Sequence, residues 1–311
     1  MVSVIIPARN MAGYLRAAIE SVRCQTYADW DLHVVDDGST DSTPQVAAQF
    51  QSDSRIRYWR QPNQERAAAR NKGIRCSTGK YVAFLDADDL WQPEKLKNQV
   101  AELEAHPDAA LCYTSARYIR RDGSVLEGQR QLTVPSGKAL PQLARGNFIS
   151  VSSVLIRRVA LDAVGLFDID PRLIGAEDWD LWLRIASVYA ILGIPEELTL
   201  YRLHISPQSH RVILNGALAV VQKRFTDPNF QKLAEITRND AEAYAYLSAA
   251  GFATPSIRRS ERLKLMCRGI SLAPPRIFSR AGLMAVARTM LPSHVTGVLQ
   301  RLAARLHLSS S

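Results

Sequence analysis

The stretch Tyr81-Val82-Ala83-Phe84-Leu85-Asp86-Ala87-Asp88-Asp89 decides the fold of this chain. Its first five residues are apolar or aromatic and follow the turn signal Ser77-Thr78-Gly79, which predicts a short buried strand. Three carboxylates then fall within four positions. In open α/β folds, ligands bind at the carboxyl ends of the strands. Because clustered carboxylates repel one another, we expect a divalent cation carrying a phosphorylated ligand here; the alternative is a solvated acidic turn.

An alternation of strands and helices precedes this stretch. Strands are predicted over residues 3–6, 31–35 and 56–59, with helical spacing of apolar residues between them. The first strand is expected to end at Pro7, and Asn10 is expected to cap the helix that follows. This alternation predicts an α/β fold with a mainly parallel central sheet flanked by helices.

A second acidic cluster, Asp36-Asp37-Gly38-Ser39-Thr40-Asp41, follows the second predicted strand. Parallel strands present their carboxyl ends at the same rim of a sheet, so both clusters should face one crevice. An ordinary Asp-Gly turn is the simpler explanation of the second cluster alone. The agreement between two strand ends indicates a ligand site more strongly than either end does.

Two later features carry chemistry. Glu177, Asp178 and Asp180 fall in the first turn of a predicted helix, where acids favour the helix dipole whatever their function. One of them is also suited to act as a general base. His204 follows a strand predicted over residues 198–201, and it is either a site residue or an ordinary polar histidine.

Composition limits the classes that remain. The chain has 311 residues, 47% of them hydrophobic, which is ample for a core of one large or two modest domains. No apolar run approaches the ~18 residues of a membrane span. The start is expected to be a strand, not a signal peptide. Four scattered cysteines indicate neither a zinc site nor a disulfide framework, and they fit a reducing cytosol.

The net charge of +9 belongs to the end of the chain. Residues 251–311 hold ten basic residues and one acidic residue, whereas the other 250 residues balance. Phe252 and Phe278 are the only aromatic residues in that tail, so nucleic-acid binding is not expected. The tail either lies on an anionic membrane surface or packs on the body of the protein. A helical stripe supports an amphipathic helix there: Val295, Val298, Leu299, Leu302 and Leu306.

Taken in order, the motifs resemble those of family 2 glycosyltransferases, which have the GT-A fold. The resemblance covers about residues 2–210, and the ordered set is far more specific than any one motif. The motifs are Val4-Ile5-Ile6-Pro7 with Asn10, Asp36-Asp37-Gly38-Ser39-Thr40-Asp41, Asn63 with Ala69-Arg70-Asn71-Lys72-Gly73, Phe84-Leu85-Asp86-Ala87-Asp88-Asp89, Gly165-Leu166-Phe167-Asp168, Glu177-Asp178-Trp179-Asp180-Leu181-Trp182, and Tyr201-Arg202 with His204.

The resemblance implies a division of the chain and a reaction. Residues 1–210 would form the glycosyltransferase domain, with a nucleotide-sugar-binding half (1–100) and an acceptor-binding half (101–210). Residues 211–311 would form a basic helical extension. The reaction would be inverting transfer of a sugar from a nucleotide-sugar donor, with a UDP-sugar favoured, to a carbohydrate or lipid-linked glycan acceptor. The enzyme would act in surface polysaccharide or lipid-linked glycan assembly, in the cytoplasm or peripherally on the inner face of the membrane.

The resemblance also assigns roles to residues. Asp178 would be the catalytic base, and Asp88 would bind Mn²⁺ or Mg²⁺, with His204 as a further metal contact. The donor pocket would be lined by Pro7, Ala8, Arg9, Asp36, Asp37, Arg70, Asp86 and Ala87. Glu65 departs from the pattern, because many relatives have glycine there, and it is expected to narrow the donor pocket.

Two other classes of protein share some of these features. A nucleotidyltransferase also uses a metal bound by carboxylates, but it usually has a Gly-rich and basic loop after the first strand. The sequence Pro7-Ala8-Arg9-Asn10-Met11-Ala12-Gly13 is a poor version of that loop. A non-catalytic nucleotide-binding module would not need the acidic helix start at Glu177-Asp178, and it would be shorter.

Overall fold

The structure is a computed structural model, which describes residues 1–130, 134–203, 207–251, 258–279, 282, 283 and 286. His204 and the stripe over residues 295–306 lie outside the described residues. The chain forms two compact units. The first comprises Met1–Ala139, Phe148–Ile169 and Asp180–His204, and the second comprises Leu140–Asn147, Asp170–Trp179 and Ile205–Ser311. The boundaries expected at residues 100 and 210 stay a prediction.

A mixed sheet forms the centre of the first unit. Its strands follow the order β3-β2-β1-β4-β8-β6-β9-β5, and β7 pairs with β6. The strands are β1 (Val2–Ala8), β2 (Trp30–Asp37), β3 (Ile56–Gln61), β4 (Tyr81–Phe84), β5 (Leu90–Trp91), β6 (Ala109–Ile119), β7 (Val125–Arg130), β8 (Val154–Arg157) and β9 (Ala190–Arg202).

The described helices include those expected between the strands. They are α1 (Ala12–Arg23), α2 (Thr43–Ala48), α3 (Glu65–Cys76), α4 (Lys95–Ala105), α5 (Leu140–Leu143), α6 (Arg158–Val164), α7 (Glu177–Ala186), α8 (Pro207–Arg224), α9 (Pro228–Ala234), α10 (Arg238–Gly251) and α11 (Arg259–Leu272). Short 3-10 turns lie at Val151–Ser153, Pro171–Leu173 and Pro274–Phe278.

The α/β prediction is confirmed, and the parallel pairing is concentrated in the first part of the chain. β3, β2, β1 and β4 run parallel as neighbours. Beyond β4 the sheet is mixed, because β8 is antiparallel to β4 and β6, whereas β9 is parallel to β6. The parallel strands therefore present the carboxyl ends of β2, β1 and β4 side by side.

Two local predictions were wrong. β1 continues through Pro7, because β4 pairs with β1 only as far as Ile5 and the missing proline N–H disrupts no pairing there. The polar residues 122–147, with interspersed Gly and Pro, predict a loop region with a short helix. Residues 125–130 instead form β7, because β6 supplies a hydrogen-bonding edge. The strand predicted over residues 198–201 is confirmed, and it forms the end of the longer β9, which pairs with β6 along most of its length.

The core of the first unit lies on both faces of the sheet. β1, β2 and β4 are buried almost throughout, and α1 contributes Leu15, Ala18, Ile19 and Val22 from one face. This spacing is the helical one that the sequence predicted. A buried centre of this kind holds the strand ends rigidly, which is what a binding site at those ends requires.

The second unit is helical in its described part. The Ala- and Leu-rich residues 212–250 predict two helices with a break near Asp227-Pro228. The break is confirmed, because Asp227 caps α9 by accepting a hydrogen bond from the Asn229 amide, and a further break separates α9 from α10. α10 and α11 pack through Leu247, Ala250 and Met266. Among the described residues, none of the helices combines the length and hydropathy that a membrane span requires.

Candidate active site

Three successive backbone amides after β1 donate hydrogen bonds to side chains that follow β2. The amides of residues 10, 11 and 12 donate to Ser39 Oγ (3.0 Å), Thr43 Oγ1 (2.8 Å) and Asp41 Oδ2 (3.1 Å) respectively. The start of α1 is thus satisfied from the other loop. Pro7, Ala8 and Arg9 precede this point, and Arg9 is half exposed at the surface.

Asn10 does not cap α1, so that prediction was wrong. Its backbone is in the left-handed region, with φ of 53°, and its side chain turns toward the other loop. Asn10 Oδ1 accepts hydrogen bonds from the Thr40 amide (2.8 Å) and from the Thr40 hydroxyl (3.3 Å). Asparagine tolerates this backbone conformation better than most residues. The side chain therefore joins the two loops rather than ending one helix.

Asp36 and Asp37 at the end of β2 have different surroundings. Both are buried. Asp36 accepts hydrogen bonds on both oxygens, from the Ser39 amide (2.8 Å) and from the Tyr58 hydroxyl (2.6 Å). Asp37 accepts two on Oδ1 alone, from Gln61 Nε2 (2.8 Å) and the Gln64 amide (2.9 Å). Asp37 Oδ2 accepts no hydrogen bond from the described residues, so it can receive one from a ligand.

Gly38 allows these loops to approach closely. Its φ is 76°, and a Cβ atom at this position would lie 2.9 Å from the Asn63 amide nitrogen. Both the backbone conformation and the contact exclude a larger residue. The Asp-Gly signal in the sequence therefore reflects the packing of the loop after β2 against the loop after β3.

The acidic turn (residues 86–89) begins with an ion pair. Arg70 of α3 is fully buried, and its Nη2 lies 2.7 Å from Asp86 Oδ1. Burial acts to raise the pKa of Asp86, but the charges of Arg70 and Arg66 and the hydrogen bond from Arg70 hold that pKa below its ordinary value. Asp86 is therefore an anion with one oxygen held in a fixed direction.

Asp89 is the most buried carboxylate of the acidic turn. Its Oδ2 accepts a hydrogen bond from the Ser152 hydroxyl (2.6 Å), and its Oδ1 accepts one from the Arg202 amide (2.7 Å). Burial raises the pKa of Asp89 well above its ordinary value, and the charges of Asp88 and Asp86 add to the rise. Both oxygens are engaged within the protein, so Asp89 supports the turn.

Arg202 at the end of β9 holds the same turn through its side chain. Its Nε donates to the Asp88 carbonyl (2.7 Å), and its Nη1 donates to the carbonyls of Arg120 and Arg121 (2.6 and 2.8 Å). Between these contacts, Ala87 is buried and Asp88 is half-buried. The sequence placed Arg202 in a motif but gave it no role, and it gave no sign of Ser152 at all.

The three acids at the start of α7 have distinct partners. Within the first unit, Asp180 is buried and its Oδ2 lies 3.0 Å from Arg184 Nε. Within the second unit, Glu177 is buried and accepts a hydrogen bond from the Gly175 amide (2.8 Å). Asp178, also in the second unit, is half-buried and accepts a hydrogen bond from Asn147 Nδ2 on Oδ2 (3.1 Å). Asp178 is the most accessible of the three.

The donor set at the acidic turn suits a divalent cation that is shared with substrate. Among the described residues, no group of three or more His, Cys, Asp or Glu side chains is arranged to hold a metal. Mg²⁺ is usually bound by one or two carboxylates, with substrate phosphates and waters completing its coordination. Asp88 supplies a hard carboxylate oxygen of this kind. The residues present therefore fit such an ion.

The sequence model described as "Glycosyl transferase family 2" matches residues 3–164, slightly more than half of the chain. An uncharacterized glycosyltransferase of Rickettsia felis is 34% identical over 244 residues, which are 76% of this chain and 39% of that protein. The Escherichia coli UDP-Glc:alpha-D-GlcNAc-diphosphoundecaprenol beta-1,3-glucosyltransferase WfaP is 33% identical over 188 residues, 60% of this chain and 70% of WfaP. The chain spans 29–39% of the length of three Rickettsia relatives.

A solved structure shares the fold. The mannosyltransferase PcManGT of Pyrobaculum calidifontis, in complex with GDP-Man and Mn²⁺, matches with a TM-score of 0.59 at 20% identity, over 97% of this chain and 86% of that chain. The fold is that of a GT-A glycosyltransferase, as predicted. By its sequence, the chain belongs to glycosyl transferase family 2.

Proposed function

We propose that the chain is an inverting glycosyltransferase, which moves a sugar from a nucleotide-diphosphate sugar to an acceptor hydroxyl. The observation that carries this proposal is the grouping of two acidic strand ends, those of β2 and β4, which lie on either side of β1 and run parallel to it. In each strand end one carboxylate, Asp36 or Asp89, accepts hydrogen bonds from the protein on both oxygens, and we assign a neighbouring carboxylate, Asp37 or Asp88, to the ligand. Family membership supports the same reaction class.

The nucleotide pocket is assigned to the first unit. Asp37 Oδ2 accepts a hydrogen bond from the base or ribose, and Asp36 holds the loop that carries Asp37. Arg70 and Asp86 contact the donor through their ion pair, with Asp86 directed at the sugar or ribose. Four backbone positions complete the lining: Pro7, Ala8, Arg9 and Ala87.

A divalent metal, Mn²⁺ or Mg²⁺, is assigned to Asp88, with His204 as a further contact. When bound, the ion neutralises the charge that develops on the diphosphate leaving group. Asp89 keeps the turn in place through its own two hydrogen bonds. The structure of PcManGT in complex with GDP-Man and Mn²⁺ supports this assignment.

Asp178 is assigned as the base. An acceptor hydroxyl is a poor nucleophile at neutral pH and must lose its proton as it attacks the anomeric carbon. A single base with direct displacement inverts the anomeric configuration, whereas retention would need a second nucleophile. Asp178 is favoured over its neighbours because it is half-buried, whereas Glu177 and Asp180 are buried.

The name of one relative supports a proposal for the substrates. WfaP uses UDP-Glc and a diphosphoundecaprenol-linked acceptor. We propose a UDP-sugar donor and a carbohydrate or lipid-linked glycan acceptor for this chain, in the assembly of surface polysaccharide or lipid-linked glycan.

Incubation with a panel of nucleotide sugars, Mn²⁺ and undecaprenyl-diphosphate-linked acceptors tests this function. The expected result is release of nucleoside diphosphate with at least one sugar nucleotide. Asp178→Asn should lower turnover by about 10²–10⁴-fold, because general-base catalysis contributes that much, while donor binding stays near wild type. Release of pyrophosphate from nucleoside triphosphates would instead indicate a nucleotidyltransferase.

We propose that the chain works at the inner face of the cell membrane. The second unit has a surface suited to anionic lipid. An ion pair of 3.2 Å between Arg211 and Glu261 brings the starts of α8 and α11 together. Val212 and Ile213 are 43% and 50% exposed there, next to the exposed Arg211. Arg258 and Arg259 at the start of α11 are also exposed. Exposed apolar side chains close to such cations fit an anionic lipid surface.

Sedimentation with phosphatidylglycerol liposomes tests the membrane surface. A Val212→Asp, Ile213→Asp double variant should bind the liposomes less than wild type. Val188→Asp is the matched control, because Val188 is 63% exposed in the first unit. Equal sedimentation of all three proteins would refute this surface.

A further inference from the structure

Ser152 lies at the centre of the contacts that hold the acidic turn. It is fully buried in the 3-10 turn Val151–Ser153. Its hydroxyl accepts a hydrogen bond from the Asp86 amide (3.0 Å) and donates one to Asp89 Oδ2 (2.6 Å). A single side-chain atom therefore joins the first and last residues of the turn. A hydroxyl group can make both bonds because it is a donor and an acceptor at once.

The backbone around Ser152 is itself fixed. Trp91 Nε1 donates to the Ser152 carbonyl (2.7 Å), and Gln99 Nε2 donates to the Ser153 carbonyl (2.8 Å). Trp91 and Gln99 are both buried. The hydroxyl of Ser152 thus projects from a rigid support, and it imposes one position on the acidic turn.

The turn has a second set of attachments. The Asp89 amide donates to the Asp86 carbonyl (3.0 Å), which closes the turn on itself. Arg202 binds Asp89 Oδ1 through its amide and the Asp88 carbonyl through its side chain. Every residue of the turn except Ala87 is thus bound through its backbone or its carboxylate to a buried neighbour. The position of the Asp88 Cα atom follows from these bonds.

We propose that Ser152 is a positioning residue for the metal site: its hydroxyl sets the conformation in which the acidic turn presents Asp88 to the cation. The proposal rests on the proposed function, because it takes Asp88 as the metal ligand. Ser152 acts through Asp86 and Asp89. Groups that orient metal ligands commonly change metal affinity by about 10–100-fold when they are removed.

The test compares Ser152→Ala with Ser153→Ala. Ser153 is a matched control, because it lies in the same 3-10 turn, is equally buried, and donates its hydroxyl to the Ser150 carbonyl (2.7 Å). Mn²⁺ binding in the presence of UDP is measured by electron paramagnetic resonance of the free ion. UDP binding without metal is measured by calorimetry, and folding by circular dichroism.

Ser152→Ala is expected to raise the Mn²⁺ dissociation constant by about 10-fold or more, with metal-free UDP binding unchanged. Turnover should recover toward the wild-type rate as Mn²⁺ is increased. Ser153→Ala should bind Mn²⁺ like wild type. Wild-type Mn²⁺ affinity in a folded Ser152→Ala variant would overturn the proposal, and so would an equal loss in both variants.

Ser152→Cys keeps the test decisive if Ser152→Ala does not fold. The thiol nearly preserves the side-chain volume but is a weak hydrogen-bond donor and acceptor, so Mn²⁺ binding should again weaken. Unchanged Mn²⁺ affinity in this variant would also overturn the proposal. A wild-type protein that binds neither Mn²⁺ nor UDP would instead refute the proposed metal-dependent use of a UDP-sugar donor.

Discussion

The two acidic strand ends use the same arrangement but draw their support from different parts of the chain. At the end of β2, Asp36 is held by Ser39 and Tyr58, three and 22 positions away. At the end of β4, Asp89 is held by Ser152 and Arg202, 63 and 113 positions away. At both ends, the structural carboxylate is the one that accepts hydrogen bonds on both of its oxygens. The end of β2, which we assign to the nucleotide, is thus supported by residues nearby in sequence. The end of β4, which we assign to the metal, depends on the assembly of the whole sheet.

The largest expected effect concerns Lys95, which is buried next to Gln99. Gln99 in turn holds the 3-10 turn that contains Ser152 and supports the end of β4. Lys95 Nζ donates to Gln99 Oε1 (2.7 Å) and lies 3.5 Å from the Val154 carbonyl. Burial lowers the pKa of Lys95 to about 7. Because the unfolded lysine keeps its proton up to a much higher pH, the free energy of unfolding should rise between pH 7 and 9 by about 2–3 kcal/mol.

Urea unfolding at pH 7 and pH 9 checks the Lys95 effect. Lys95→Met should lose this rise and should be more stable than wild type at pH 7. Lys97→Met is the matched control, because Lys97 is exposed on the same helix. If the free energy of unfolding depends on pH equally in wild type and Lys95→Met, then Lys95 does not titrate in this range. The end of β4 would then differ less from the end of β2 than we propose.

A smaller effect is expected at the β2 end. Tyr58→Phe removes the hydrogen bond to Asp36, a buried carboxylate, and should lower the free energy of unfolding by about 1.5 kcal/mol. Tyr27→Phe is the control, since the Tyr27 hydroxyl has no hydrogen bond within the described part of the chain. Thermal unfolding measures both. Because the support is local, metal affinity of Tyr58→Phe should stay at the wild-type value; a loss would show that the two ends are coupled.

The smallest effect is expected at Glu65, where the sequence departs from the family pattern. Its φ is 68°, a conformation that glycine adopts without strain. Its carboxylate lies 3.8 Å from Arg9 Nη1, an exposed pair that contributes at most ~1 kcal/mol. Glu65→Gly should therefore change stability by less than about 1 kcal/mol while widening the donor pocket. Donor affinities measured by calorimetry should change more than the melting temperature does; the reverse would contradict a pocket role for Glu65.

The sequence predicted what depends on local pattern. The buried strand before Asp86, the Asp-Gly turn at Gly38 and the capped break at Asp227 all follow from short-range signals, and the structure confirms them. Ser152 and Arg202 could not be predicted, because a serine and an arginine acquire these roles only when β8 and β9 join the sheet. The prediction that Asn10 caps α1 was wrong for the same reason, since its hydrogen-bond partner Thr40 belongs to another loop.

The most direct test measures UDP binding with and without Mn²⁺ in Asp88→Ala and Asp37→Ala. The account predicts that Asp88→Ala keeps metal-free UDP binding and loses the gain in affinity that Mn²⁺ confers. Asp37→Ala should weaken UDP about 10-fold or more under both conditions while keeping that gain, because it removes a charged hydrogen-bond acceptor. A Mn²⁺-dependent gain that survives Asp88→Ala would contradict the central claim that the acidic turn after β4 is the metal site.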